Sequence, residues 1–137
     1  ADQAYVQGTV RSFDEDKRVY IEERLRAIGS GLAEAFDVEI ETLYHRLPGA
    51  VKNDEKLTDD AIEVAKQVGY NVEVMDKPLT IGEDFSGFSN KYPSVFAFIG
   101  SNSEYDLHHP KYDPDERILE KVPEYFVTFV QKLLNEV

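Results

Sequence analysis

Ala4-Tyr5-Val6-Gln7-Gly8-Thr9-Val10-Arg11-Ser12-Phe13 alternates, with Val6, Gly8 and Val10 on one face and Tyr5, Gln7, Thr9 and Arg11 on the other. A period of two is that of a half-exposed β-strand, so this stretch decides whether the chain opens with a sheet. Asp14 then stands where an N-cap belongs, and Glu15 and Asp16 follow in the first turn, where the helix dipole favours carboxylates. Ile21, Leu25, Ile28, Leu32 and Phe36 recur at steps of three or four. That spacing predicts a helix of about 20 residues that packs one side on a sheet. Val38, Ile40, Thr42 and Tyr44 alternate with Glu39, Glu41 and Leu43, which predicts a second strand over 37–45. Strand, helix and strand in succession make a βαβ unit, and the fold class read from the sequence is α/β (α+β).

Leu47-Pro48-Gly49-Ala50 interrupts the pattern, because proline lacks a donor and glycine relaxes the backbone. A boundary there separates residues 1–50 from residues 51–137. Beyond it, Thr58, Asp59 and Asp60 read as the start of a helix with Ile62, Ala65 and Val68 inward, ended by Gly69. Val72 and Val74 fit a short strand, and Glu83 to Phe88 fit one or two helical turns. Val95-Phe96-Ala97-Phe98-Ile99, ended by Gly100, has the continuous apolar character of a strand buried on both faces. Asp113 as N-cap, Pro114 at the first helical position and Glu116 predict a last helix with Ile118, Val122, Phe126, Phe129 and Leu133 inward. Pro123 should kink or split it near Glu120.

The 137 residues carry 27 acidic against 15 basic side chains, a formal net charge of −12. Nucleic acid and anionic membrane are polyanions, so neither is expected as a partner. With no cysteine, disulfides and thiolate ligands are excluded, and any metal site must use His, Asp and Glu. No apolar run approaches the roughly 20 residues of a membrane span, and Ala1-Asp2-Gln3-Ala4 lacks the pattern of a signal peptide. The expected location is the cytoplasm. Because the sequence does not begin with Met, a processed product or an excised fragment is expected.

Two of the three histidines, His108 and His109, stand together in the polar loop after the apolar run. Ligands of open α/β sheets sit at that end of the strands. Adjacent side chains on an extended loop diverge, so one metal ligand is expected there rather than a bidentate pair; a surface loop with both rings solvated fits the same residues. Glu83-Asp84 could supply a general acid or base, or simply cap a helical turn. Arg11 could bind a carboxylate bidentately or stay solvated, and His45 is most simply a boundary residue. Phe85-Ser86-Gly87-Phe88-Ser89 is not the elbow of a serine hydrolase, and Gly29-Ser30-Gly31 is not a phosphate loop.

Gly8 to Phe13, the passage from Pro48 to Asn53-Asp54, Gly82-Glu83-Asp84-Phe85-Ser86, and Leu107-His108-His109-Pro110 with Tyr112-Asp113 and Glu116 occur in order along nearly the whole chain. Together they resemble the second part of the dinuclear-metal amidohydrolases, the family of aminoacylase, hippurate hydrolase, auxin-conjugate hydrolases and related carboxypeptidases. The resemblance implies that residues 1–50 are the second, βαβ half of a lid and dimerisation domain. Residues 51–137 would be the C-terminal α/β part of the catalytic domain. It implies hydrolysis of N-acyl amino acids or small peptides with two divalent ions (zinc, manganese, cobalt or nickel), and a homodimer formed through the lid. His108 matches a metal ligand, while Glu83, Asp84, His109, Arg11 and Asn53 would lie near substrate or metal. The family's other ligands and its general base belong to an N-terminal half, so the chain alone is expected to bind metal at most partially and to be inactive. No catalytic residue is assigned within it. The rival reading is a non-catalytic α/β interaction or regulatory module.

Overall fold

The computed structural model describes residues 2–135. Its regular elements are four helices: α1 (Glu15–Phe36), α2 (Glu55–Gln67), α3 (Ser86–Ser89) and α4 (Ile118–Asn135). Among the described residues no segment forms a strand, which corrects the expected α/β (α+β) class and its βαβ unit. Residues 4–13, 37–45, 72–74 and 95–99 all alternate or run apolar as strands do, yet none enters a ladder. Alternation decides which side chains share a face. A strand also needs a neighbouring backbone to take its N–H and C=O groups in a repeating ladder, and no such ladder forms among the described residues. The run 95–99 is not buried on both faces either, since Phe98 and Ile99 are exposed.

The chain divides into two compact units, Ala1–Val51 with Lys77–Lys91, and Lys52–Asp76 with Tyr92–Val137. In the first, the Asp14 carboxylate accepts the Lys17 N–H at 3.0 Å and starts α1 where the sequence places it. Asp37, left-handed at φ 51°, ends the helix, and Val38 N–H returns to Ala33 O at 3.1 Å. The chain then runs back along α1: Arg26 Nη1 donates to Thr42 O, Arg46 Nε to Glu22 at 2.6 Å, and Arg18 Nη1 to Pro48 O at 3.0 Å. Gly29 permits the approach, since a Cβ there would lie 2.7 Å from Thr42 Oγ1. The face of α1 that is covered is therefore the one bearing Arg18, Glu22 and Gly29. The apolar stripe lies beside it, and Leu25, Ile28, Leu32 and Phe36 stay exposed.

The second unit is built on α2 against α4. Asp54, not the Thr58 region, caps α2, with its carboxylate accepting Leu57 N–H at 2.9 Å and its carbonyl accepting Thr58 Oγ1. Gly69 at φ 82° ends it, and Tyr70 N–H closes on Ala65 O at 2.9 Å. Ala61, Val64, Tyr125 and Phe129 form the core, flanked by Leu57, Val68, Tyr70 and Leu133. Tyr125 stacks on Phe129 at 5.9 Å and meets Tyr70 edge-on at 6.2 Å. Each such side chain, fully buried, stabilises by about 1.5–3 kcal/mol.

Two details of α4 differ from expectation. Its buried stripe uses Tyr125 where the spacing gave Phe126, which is exposed. It also begins after Asp113: Asp115 accepts Arg117 N–H at 3.0 Å, and Ile118 N–H donates to Asp115 O. The guanidinium of Arg117 holds the Asp115 carboxyl well below the usual carboxylate range. Pro123 lies inside α4 without splitting it.

Candidate functional site

The loop after the apolar run is tied down by its own polar groups. Ser103 Oγ accepts Tyr105 N–H at 3.1 Å and Asp113 N–H at 3.3 Å, and Asp115 N–H donates to Ser101 O at 2.8 Å. Inside that frame His109 N–H donates to Asp106 O and Tyr112 N–H to His109 O at 2.9 Å. Between these contacts His108 adopts φ 69°, the left-handed region, which costs a residue with a side chain about 1–2 kcal/mol. Its ring is exposed, and among the described residues neither nitrogen has a partner.

His109 is exposed as well, but it is engaged. Its ring stacks on Tyr105 with centroids 4.4 Å apart and planes 9° from parallel, and its Nδ1 accepts Lys111 N–H at 3.1 Å. Lys111 Nζ lies 5.8 Å from the Tyr105 ring centroid. The two histidines thus differ in their contacts, one without a partner and one engaged. Tyr105 and Ser103 carry much of this geometry and were not singled out from sequence; the serine two residues before Tyr105 is the available signal, since such a hydroxyl commonly accepts an N–H two residues on.

Asn53 belongs to the same unit but serves the backbone. Its Nδ2 donates to Phe96 O and its Oδ1 accepts Phe96 N–H, both at 2.9 Å, beside a bond from Asp54 N–H to Ser94 O. The remaining residues lie in the first unit. Glu83 Oε1 accepts Phe85 N–H at 3.2 Å, and Glu83 O accepts the hydroxyl of the fully buried Ser86 at 2.8 Å, so the glutamate caps the turn into α3. Asp84 is exposed. The Arg11 head lies against Gly82, where a Cβ would meet Nη1 at 2.2 Å, which places a guanidinium beside the Gly82-Glu83-Asp84 loop.

Among the described residues no group of three or more His, Asp or Glu side chains converges as a metal site needs. The donors present do not fit a metal pair by themselves. An exposed imidazole without a partner fits one coordination position.

The sequence matches peptidase family M20/M25/M40 over residues 4–132. The chain belongs to that family. Its M20 relatives include an N-acetyl-L-cysteine deacetylase of Bacillus subtilis (strain 168), 32% identical over 134 residues that make up 98% of this chain and 32% of the relative. An N-acetylcysteine deacetylase of the same organism is 30% identical over 99% of this chain and 36% of its own length. An N-acetyldiaminopimelate deacetylase of Streptococcus sanguinis (strain SK36) is 33% identical over 99% of this chain and 36% of its own. The chain therefore spans about a third of the length of these M20 proteins. No solved structure matches it. Among the described residues no helix is long and apolar enough to cross a membrane.

Proposed function

We propose that this chain is the C-terminal part of a metal-dependent amidohydrolase that removes the acyl group from an N-acyl amino acid or small peptide. The observation that carries the reading is the family match over residues 4–132, with relatives named as deacetylases of N-acetylated amino acids. In this reading residues 1–50 serve the lid and dimerisation region and residues 51–137 the catalytic region, and the protein works as a cytoplasmic homodimer. The partner that completes it is an N-terminal half carrying the other metal ligands and the general base.

In the complete protein two divalent ions (zinc, manganese, cobalt or nickel), held by His108 together with ligands from the N-terminal half, would supply Lewis acidity for the amide carbonyl and for water. Residues of this chain bind and orient. His108 offers one imidazole lone pair from a loop whose geometry is set without the metal. Arg11, whose head lies beside Gly82, would receive the substrate carboxylate through two parallel hydrogen bonds in this reading. Glu83 keeps the Gly82–Asp84 loop in shape through its contact with Phe85 N–H, and Asn53 holds residue 96 to the start of α2. No general base is assigned to this chain.

The test is release of acetate from N-acetylated amino acids by the 137-residue chain and by the longer natural polypeptide that contains it, each with and without added divalent metal. Activity is expected only from the longer protein, abolished by chelation. His108→Ala in that protein should reduce metal content and activity by at least the 10- to 100-fold that follows loss of a residue supporting a ligand. Chelator-sensitive hydrolysis by the 137-residue chain alone would overturn the assignment.

A further inference from the structure

We infer that His109 is a positioning residue: stacked on Tyr105 and bonded to the Lys111 backbone, it holds His108 in its left-handed turn. The inference rests on reading His108 as a metal ligand, but its structural half stands apart from that reading. A left-handed residue other than glycine persists only where its surroundings over-determine it. Here they do so on the C-terminal side, through His109. Its N–H is bound to Asp106 O, its carbonyl takes Tyr112 N–H, its Nδ1 takes Lys111 N–H and its ring lies flat on Tyr105. The first of these holds the peptide that links residues 108 and 109, the second holds the peptide after His109, and the ring contacts anchor the side chain of the residue between them, so the C-terminal neighbour of His108 is fixed on both sides.

The same contacts fix the chemistry of the second ring. Nδ1 of His109 accepts an N–H and so carries no proton, which places the proton of the neutral ring on Nε2. One nitrogen is then committed to the backbone and the other is a donor. His109 has no lone pair to offer without breaking its contact to Lys111, whereas neither nitrogen of His108 is engaged among the described residues. Two chemically identical side chains thus differ because His109 has a tyrosine four residues earlier and a backbone N–H two residues later within reach.

Two measurements test this. The first is nitrogen-detected NMR of the full 137-residue chain with labelled histidine. His109, assigned by the loss of its signals in His109→Phe, should show a single Nε2–H tautomer, and Tyr105→Ala should remove the ring-current shift of its carbon-bound protons. A mixed or Nδ1–H tautomer, or no response to Tyr105→Ala, would overturn the positioning role. The second is zinc affinity of the longer natural polypeptide. His109→Ala should weaken it by about 10- to 100-fold. His109→Asn, whose Oδ1 can accept the same N–H two residues on, should restore it to within a few fold. Equal loss in Ala and Asn variants would reject the role of the Lys111 contact. If His108→Ala leaves zinc affinity unchanged while the tautomer is as stated, the ligand reading fails and the loop reading survives.

Discussion

α4 and α1 carry apolar stripes of similar spacing, and the structure treats them differently. α4 lays Tyr125 and Phe129 on Ala61 and Val64 of α2, and three aromatic rings close over the contact. α1 instead faces the returning chain with Arg18, Glu22, Arg26 and Gly29, through ion pairs and backbone carbonyls, while Leu25, Ile28 and Leu32 are 41%, 49% and 44% exposed. An apolar stripe becomes a core only when the facing element offers an apolar surface. α2 does so for α4. The segment 38–48 meets α1 mainly with carbonyl oxygens and a guanidinium, so that contact is specified by hydrogen bonds and by the room at Gly29.

The largest effect should separate the two helices. Phe129→Ala empties a fully formed aromatic stack and should destabilise the α2–α4 contact by about 3–5 kcal/mol, whereas Leu32→Ala on α1 removes a half-exposed side chain and should cost about 1 kcal/mol or less. Thermal unfolding followed by circular dichroism measures both, and equal losses would erase the contrast. Gly29→Ala should come next. Crowding against Thr42 costs about 1–3 kcal/mol, and the better helix propensity of alanine returns about 1. The net loss should become a net gain when Thr42→Ala is added, because the crowding atom is then gone. If the double variant is no better than Gly29→Ala alone, the approach of the chain at residue 42 is not what the glycine serves.

The smallest effect is the response to pH, and its sign differs between the helices. Arg46 and then Arg26 lower the pKa of Glu22, so the stability this carboxylate contributes is present above its unfolded-chain value and is lost as pH falls through the folded one. Glu63 and Asp60 raise the pKa of Lys132 on α4, so its contribution is present at lower pH and is lost as pH rises through the folded value. Amide exchange against pH should show α1 loosening at the acid limit and the α2–α4 contact at the alkaline limit. Glu22→Gln should flatten the first response and leave the second. The Asp115–Arg117 turn before α4 shares the acid limit, but only locally.

Local signals were legible in the sequence and long-range ones were not. Asp14 and Gly69 end up as cap and terminator because both act within one turn of the chain. Asp113 misled because Asp115, two residues on, has Arg117 within reach and captures the turn. Phe126 was placed inward and Tyr125 lies there instead: a step of one residue rotates a helix by roughly a quarter turn, and only the position of α2 decides which ring it meets. The strands failed for a deeper reason. Alternation in residues 4–13 and 37–45 names faces, but pairing depends on a second backbone that no local pattern specifies. At the loop, the expectation for the two rings assumed an extended chain, whereas residues 106–109 form a turn with His108 left-handed. That His109 would be the engaged one depended on Tyr105 and on the backbone of Lys111, which spacing alone does not reveal.

Asn53 spans Phe96 with one donor and one acceptor, imitating with a side chain the pair of bonds a neighbouring strand would make. That imitation is chemically perishable. Hydrolysis of the amide would turn the atom facing Phe96 O from a donor into a charged oxygen, replacing an attraction by a repulsion at the same spot. Such a change would weaken the join between the start of α2 and residue 96 without cutting the chain, leaving the bond from Asp54 N–H to Ser94 O to hold the two segments.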